Sequence, residues 1–430
     1  MMEGWNKELL GDLLEINIES IGRNYPFKKI NYYDISSVKS GFVEKIDTIT
    51  LNSAPSRAKR IVKNKDTILS TVRPRNRSFY YFKEAKENDI VSTGFAVLRP
   101  NLKKLDDRFL YHLVTDFNFT AFLASNEKGA AYPAVTPEVI GRAKINLPPL
   151  PTQRKIAKIL SAYDDLIENN LKRIKLLEEM AQNEFNNWYA NNVDFDKVNL
   201  GLIIGHEIGG GWGAEELSEE FSQPAYVIRG TDIDELPNGK LEKVPFRFHK
   251  KSNLASRKLQ DGDIIFEVSG GSSYEGVAKT LLVTDELLKQ FDNAVMPASF
   301  CKLARPIERK YSNLLFLFWR FLRNIKGTEV FEIRSASNIV NYNWTAFLKF
   351  QKIKKPSNKE LEQFNKKIEP IYKQVYNLGN QNQRLKEARD ILLPRLMTGM
   401  IDVEGINLYS NNEKELLNLA AEPKGKYGTN

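Results

Sequence analysis

The chain has 430 residues, 42% of them apolar and 11% aromatic, which excludes a disordered polypeptide and leaves room for two or three domains, each with its own core. Lys and Arg (63) outnumber Asp and Glu (54), and the net charge of +9 suits a polyanionic partner. One cysteine, Cys301, excludes an internal disulfide framework. The longest apolar stretch, around Leu314 to Leu322, is too short to span a bilayer and is broken by Arg320, so a buried helix or strand is expected there. The start MMEGWNKELLGDLL lacks the apolar core of a signal peptide, and a cytoplasmic location is expected.

In chain order, residues 1–150 read as a mixed segment of short strands, such as DTILSTV, between Gly, Asn, Asp and Pro punctuation. It carries the densest basic run: Arg57, Lys59, Arg60, Lys63, Lys65, Arg73, Arg75 and Arg77 against one acid, Asp66, interleaved with Asn76, Ser78, Tyr80 and Tyr81. Phosphates need cations, and base edges need Arg, Asn or Gln in fork geometry. RPRNRS follows a predicted strand and so falls on a turn that can enter a groove. The plainer alternative is a basic strand edge that blocks aggregation.

The stretch LPPLPTQRKIAKIL then sets prolines before a long amphipathic run, a stiff approach to a helix over 151–190. Ile156, Leu160, Tyr163, Ile167, Asn170, Ile174, Leu177, Ala181 and Trp188 fall on an alternating four-three spacing, the seam of a coiled coil. Residues 191–356 repeat the mixed pattern, with GDIIFEV as a strand. In GGSSYEGVAK, Ser272, Ser273, Tyr274 and Lys279 sit where the first segment has its basic turn, in an interval about nine residues longer, so a recognition loop is predicted there. Tyr132, Arg334 and Asn338, in the loops before the last strand of each segment, are further candidates.

A second long helix is predicted over 357–398. Ser357 and Glu360 form a capping box, Pro394 should end or kink the helix near Leu393, and Gly399 lies just past the stop. Its seam runs through Leu361, Phe364, Ile368, Ile371, Val375, Leu378, Asn382, Leu385, Leu392 and Leu396. A helix of about 36 residues is roughly 54 Å long. If the two helices run antiparallel, Asn170 and Asn382 lie close together, and a buried amide pair there fixes register; the alternative is that both face solvent. Residues 399–430 are a polar tail.

The halves match in order at an offset of roughly 200 residues, as an internal duplication does. Asp34 answers Asp232, and Ile35 answers Ile233. Ala58, Arg60 and Asp66 answer Ala255, Arg257 and Asp263. Arg99-Pro100 answers Arg305-Pro306, DDRFLYHLVTDF answers YSNLLFLFWRFL, and Pro151 stands opposite Pro356.

Taken together, LPPLPTQRKIAKIL and RLKEARDILLPRLMTGMIDV resemble the two helical regions of specificity subunits of Type I restriction–modification systems, and the resemblance covers almost the whole chain. Thr152 departs from it where a Glu is usual, as do Lys354 and Lys355 where prolines are. The resemblance implies an α+β architecture: two pseudo-repeated mixed α/β target-recognition domains (1–150 and 191–356) separated by a long antiparallel two-helix coiled coil. Each domain would read one half of a split double-stranded DNA site, and the coil would dock two methyltransferase subunits, with restriction subunits joining them. S-adenosylmethionine and ATP would be bound by those partners, and this chain would hold no cofactor.

Catalytic motifs are near-misses. After Gly271 and Gly276, Val277 and Ala278 stand where a P-loop needs Lys and Ser or Thr. Asp263 and Glu267 lack a nuclease lysine, Ser269 standing in its place. GHEIGGGWG lacks a preceding strand, no Asn-Pro-Pro-Tyr-like motif exists, and His112, His206 and His249 show no metal-ligand spacing. A non-catalytic chain is expected. The competing readings are a coiled-coil scaffold whose two heads bind proteins, with no DNA affinity, and a self-sufficient enzyme.

Overall fold

The computed structural model describes residues 4–129, 133–192, 195–270, 276–334 and 339–406. They form two compact units, Met1–Asp165 with Lys386–Asn430, and Leu166–Leu385. Both are mixed α/β.

In the first unit, a ribbon pairs Asn6–Leu9 with Lys144–Leu147. A four-stranded sheet follows in the order Leu14–Ile16, Phe95–Pro100, Thr67–Ser70, Phe79–Tyr81. A second has the order Asp47–Thr50, Lys29–Tyr33, Asp89–Ser92, Ala58–Ile61, with a parallel pairing at its centre. Thr67–Ser70 and Asp89–Ser92 are buried at every position, as strands covered on both faces are. The helix Asp107–Thr115 starts on Asp106, whose carboxylate accepts from Arg108 N and Phe109 N at 3.1 and 3.0 Å.

The second unit repeats this plan. Asp196–Asn199 pairs with Lys352–Lys355. The four-stranded sheet runs Ile204–Gly209, Cys301–Pro306, Ile264–Glu267, Thr280–Leu282, and a three-stranded sheet again contains one parallel pairing. The apolar stretch becomes the helix Ser312–Asn324, with Leu314–Trp319 all buried.

The duplication extends to hydrogen bonds. Asp66 accepts from Lys63 N, and Asp263 from Gln260 N, both at 2.8 Å, and each carboxylate is then gripped by an arginine from the neighbouring strand, Arg99 or Arg305. The sheet registers correct two alignments. Asn6 faces Leu147 and Asp196 faces Lys355, so Pro148, not Pro151, stands opposite Pro356. Arg60 lies on a strand while Arg257 ends a helix, so that match is one of sequence only.

The long helices span Leu150–Asn191 and Asn358–Met397. In the first unit Ile156, Ile159 and Leu160 share a core with Leu392, Leu393 and Leu396, and Asp164 pairs with Arg389 at 2.6 Å. In the second, Glu184 meets Lys367 at 2.5 Å and Trp188 stacks on Phe364 with centroids 4.5 Å apart. Within each unit, rising numbers on one helix meet falling numbers on the other, so the segments pack antiparallel. All nineteen seam residues are buried or half-buried.

The capping box forms: Ser357 N donates to Glu360 Oε2 at 2.9 Å, and Glu360 N to Ser357 Oγ at 3.4 Å. Pro394, however, does not end the helix, which continues to Met397. The stop is set at Gly399, with φ +73°, where Gly399 N bonds Leu396 O and Met400 N bonds Arg395 O. The amide pair is also corrected. Asn170 and Asn382 are both buried, but neither side-chain amide atom of Asn382 makes a hydrogen bond, so the two amides do not pair by one.

Candidate nucleic-acid interface

Strand Thr67–Ser70 divides the basic run of the first unit between its two ends. Before it, Lys63 pairs with Glu19 at 2.5 Å and Lys65 with Asp107 at 4.0 Å. Arg60 is half-buried, and desolvation lowers its pKa. These cations serve the scaffold at that end. Lys59 is exposed on the edge strand between the two groups.

After the strand, the chain turns through Arg73–Arg77. Arg73 and Arg77 both adopt left-handed backbone, φ +46° and +53°, on either side of a single 3-10 turn, Pro74–Asn76. Such conformations are strained for residues with a Cβ and persist only when the surroundings impose them. Arg73 N donates to Pro133 O at 2.8 Å, and Ser40 Oγ to Arg77 O at 2.8 Å. The Arg77 guanidinium donates to Thr120 Oγ1 at 3.0 Å and Thr115 O at 2.8 Å, and its carbon lies 3.8 Å from the centre of the Phe117 ring. Arg77 is therefore an internal strut. Arg75 and Asn76 are at the exposed tip; the Arg75 side chain is 73% exposed and lies 3.7 Å from Glu127.

The segment around Glu127 belongs to the same place. Val72 bridges Ala134, Ala134 bridges Lys128, and Val135 N donates to Thr71 O at 2.8 Å, so Lys128 and residues 133–135 lie along the turn. Thr71 N donates to Gly94 O at 2.9 Å, and Thr93 N to Arg57 O at 2.8 Å, which brings Arg57, paired with Asp34 at 3.0 Å, to the same edge. Tyr132 lies outside the described residues. Tyr80 is half-buried, with its ring edge-on to Phe82, 5.1 Å between centroids.

The second unit builds an equivalent edge. Tyr342 N donates to Val268 O at 2.8 Å, and Val268 N to Phe300 O at 2.9 Å. Ser269 pairs with Asn341, and Asn341 with Ile333, so the hairpin through Glu332–Arg334 and Val340–Tyr342 lies against the chain that leads into the predicted loop. Ser272, Ser273, Tyr274 and Asn338 lie outside the described residues. Arg334 is exposed, 3.6 Å from Glu332. Lys279 is turned inward, 20% exposed and paired with Asp234 at 3.1 Å. Paired residues Thr67 and Tyr81 answer Ile264 and Leu282, which makes this hairpin loop about four residues longer than the first unit's; the rest of the extra length lies between Leu282 and Cys301. Glu267, at the end of the strand before the loop, is 5% exposed, and desolvation raises its carboxyl above the ordinary range.

The sequence named these loops one by one. Their adjacency, between segments 62 residues apart in the first unit and 72 in the second, had one signal: the same order of motifs in both halves. Gln153 was missed. It is 1% exposed, accepts from Asp106 N at 2.9 Å and donates to Lys104 O and Pro148 O, so it fastens the first long helix to its own unit.

Residues 2–179 match the family described as Type I restriction modification DNA specificity domain. The specificity subunit of the Type I restriction enzyme HindI of Haemophilus influenzae is 27% identical over 202 residues, 46% of this chain and 42% of that protein. The MjaIX specificity subunit of Methanocaldococcus jannaschii is 26% identical over 364 residues, 79% of this chain and 78% of that one. The crystal structure of a Type-I restriction-modification system S subunit from M. genitalium superimposes with a TM-score of 0.53 at 13% identity, covering 91% of this chain and 96% of that one, a likeness of fold. Among the described residues, no helix is long and apolar enough to cross a membrane.

Proposed function

We propose that this chain, a member of the Type I restriction–modification specificity-subunit family, is the DNA sequence-recognition subunit of such a complex and reads a bipartite site, one half with each unit. The observation that carries this reading is the duplicated edge: in both units the segment after the central strand pairs with a second loop segment, Val72 with Ala134 and Ser269 with Asn341. Two equivalent loop pairs in one chain suit two half-sites. In the first, Arg73, Arg75 and Asn76 stand on a turn braced from within, the chemistry that phosphate positioning and base-edge readout require.

The two long helices act as the spacer between the reading units. A spacer of fixed length turns two short readouts into one spacing-specific site through effective concentration. Methyl transfer and cleavage belong to two methyltransferase subunits and to restriction subunits docked on the helices. S-adenosylmethionine and ATP are bound by those partners, and the complex works in the cytoplasm. Methylation mapping of DNA from cells that carry this chain and its neighbouring subunits tests the reading. A split motif that disappears when this chain is deleted is the expected result; unchanged methylation overturns it.

A further inference from the structure

Gly94 and Phe300 occupy the same backbone position in the two units. Gly94 O accepts from Thr71 N, and Phe300 O from Val268 N, both at 2.9 Å, at matching points beside the two loop edges. Their side chains differ completely. A Cβ on Gly94 would lie 2.0 Å from the Ile35 Cδ1 methyl, so a side chain there requires Ile35 to move. In the second unit Phe300 is 64% exposed.

The backbone that carries the ring is held in place. Phe300 O also accepts from Ser269 N at 3.2 Å, and the turn beneath is closed by Cys301 N to Ala298 O at 2.8 Å. Beside it on the same edge stand groups suited to base edges and phosphates: Ser269, whose hydroxyl donates to Asn341 Oδ1 at 2.7 Å, and exposed Asn341, with exposed Arg334 on the outer strand of that small sheet. A large apolar ring exposed to water beside polar neighbours forgoes the stabilisation of burial, and an apolar group on a partner restores part of it. On the major-groove edge of DNA the one apolar group is the 5-methyl of thymine.

We propose that Phe300 is a specificity-determining residue of the second unit and packs on the 5-methyl group of a thymine in its half-site. This rests on the DNA-recognition reading and adds a requirement to it: the half-site read by the second unit contains at least one A·T pair, whereas Gly94 places no such demand on the other half.

The test uses the chain in complex with its methyltransferase partner and duplexes bearing the mapped site. Thymines in each half are replaced in turn by deoxyuridine, which lacks only the methyl group. The native complex should bind one such duplex about fourfold more weakly, the contribution of one buried methyl-sized group. Phe300→Ala should bind the thymine and uracil duplexes equally, at that weakened level, and Phe300→Leu should keep part of the discrimination. Indifference of the native complex to uracil at every position, full discrimination by Phe300→Ala, or a mapped site with no A·T pair in either half overturns the proposal. Specific binding without methyl sensitivity removes Phe300 alone; failure of the native complex to prefer the mapped site over unrelated duplex removes the DNA-recognition reading with it.

Discussion

Arg99 grips Asp66 with two parallel bonds, Nε to Oδ1 at 2.9 Å and Nη2 to Oδ2 at 2.7 Å, and Arg305 grips Asp263 in the same way. Both carboxylates are buried and cap the turn that feeds the central strand of their unit. Removing one partner of such a pair leaves an uncompensated charge inside the protein. Asp263→Ala should cost about 3 kcal/mol, the low end for a broken buried pair because Arg305 retains some solvent, and Asp66→Ala should cost less, because Arg99 keeps Glu19 at 2.6 Å. Replacing both partners by apolar residues of similar volume should recover most of the loss. Denaturant midpoints, with amide exchange in Thr67–Ser70 and Ile264–Glu267 to localise the effect, are the measurement; an unshifted midpoint for the single variants contradicts it.

His112 sets a pH limit on the first unit. Its ring is buried, with Nε2 3.1 Å from Ser161 Oγ, and desolvation lowers its pKa to about 4, against the favourable but distant charge of Asp164 at 3.8 Å. The folded state therefore resists protonation while the unfolded chain takes up a proton near pH 6.5. The histidine's contribution is complete above that pH and is lost as pH falls from about 6.5 towards 4, with a loss of about 2 kcal/mol by pH 5. Stability measured from pH 7.5 to 5 should fall with that slope, and His112→Asn should flatten it. An unchanged slope in the variant would place the acid sensitivity elsewhere.

What the sequence made legible depended on period and on punctuation. Every residue that the four-three spacing placed on the two seams is buried or half-buried, and Ser357 with Glu360 located a helix start to the residue. Pro394 does not end the helix because a proline forfeits one backbone bond, which a helix packed through Leu392, Leu393 and Leu396 tolerates; the glycine that can adopt φ +73° decides the stop. In the interface, charge density grouped Lys63 and Lys65 with Arg73 and Arg75, but a strand lies between them and carries them to opposite ends. Local composition does not encode direction. Arg77 could not be recognised as a strut because its partners, Thr115, Phe117 and Thr120, come from two consecutive helices about forty residues on.

Gly239 and Gly379 should tolerate no side chain. Gly239 has φ +74°, and a Cβ on it would lie 2.0 Å from Gly379 O; a Cβ on Gly379 would lie 2.5 Å from Pro237 O. The loop Leu236–Gly239 thus sits backbone to backbone on the second long helix, inside the second unit. An Ala at position 379 is otherwise favoured by helix propensity by about 1 kcal/mol. Gly379→Ala should nevertheless destabilise the unit, by about 2 kcal/mol net, since the obstacle is a carbonyl oxygen that cannot turn away. Gly239→Ala should cost more, because the strained φ adds about 1 kcal/mol. Thermal or denaturant unfolding measures both, and a stabilised Gly379→Ala would show that the loop lifts off at little cost.

Arg75 and Arg77, two residues apart, should fail in different ways. Arg75 stands at the tip with its side chain in water. As a phosphate contact, its loss in Arg75→Ala should weaken DNA binding about equally for the mapped site and for unrelated duplex, and reduce the slope of log K against log salt by about one. Arg77 holds the turn by two hydrogen bonds and by stacking on Phe117. Without it, the left-handed residues at both ends of the turn lose one of the constraints that impose them, and the tip no longer presents a single geometry. Arg77→Ala should therefore narrow the gap between mapped and unrelated sequences while leaving most of the salt slope in place. Affinities for both duplexes across a salt series separate the two outcomes. Identical behaviour of the two variants would mean that Arg77 leaves its internal partners to bind phosphate, and that the brace is not what shapes the reading edge.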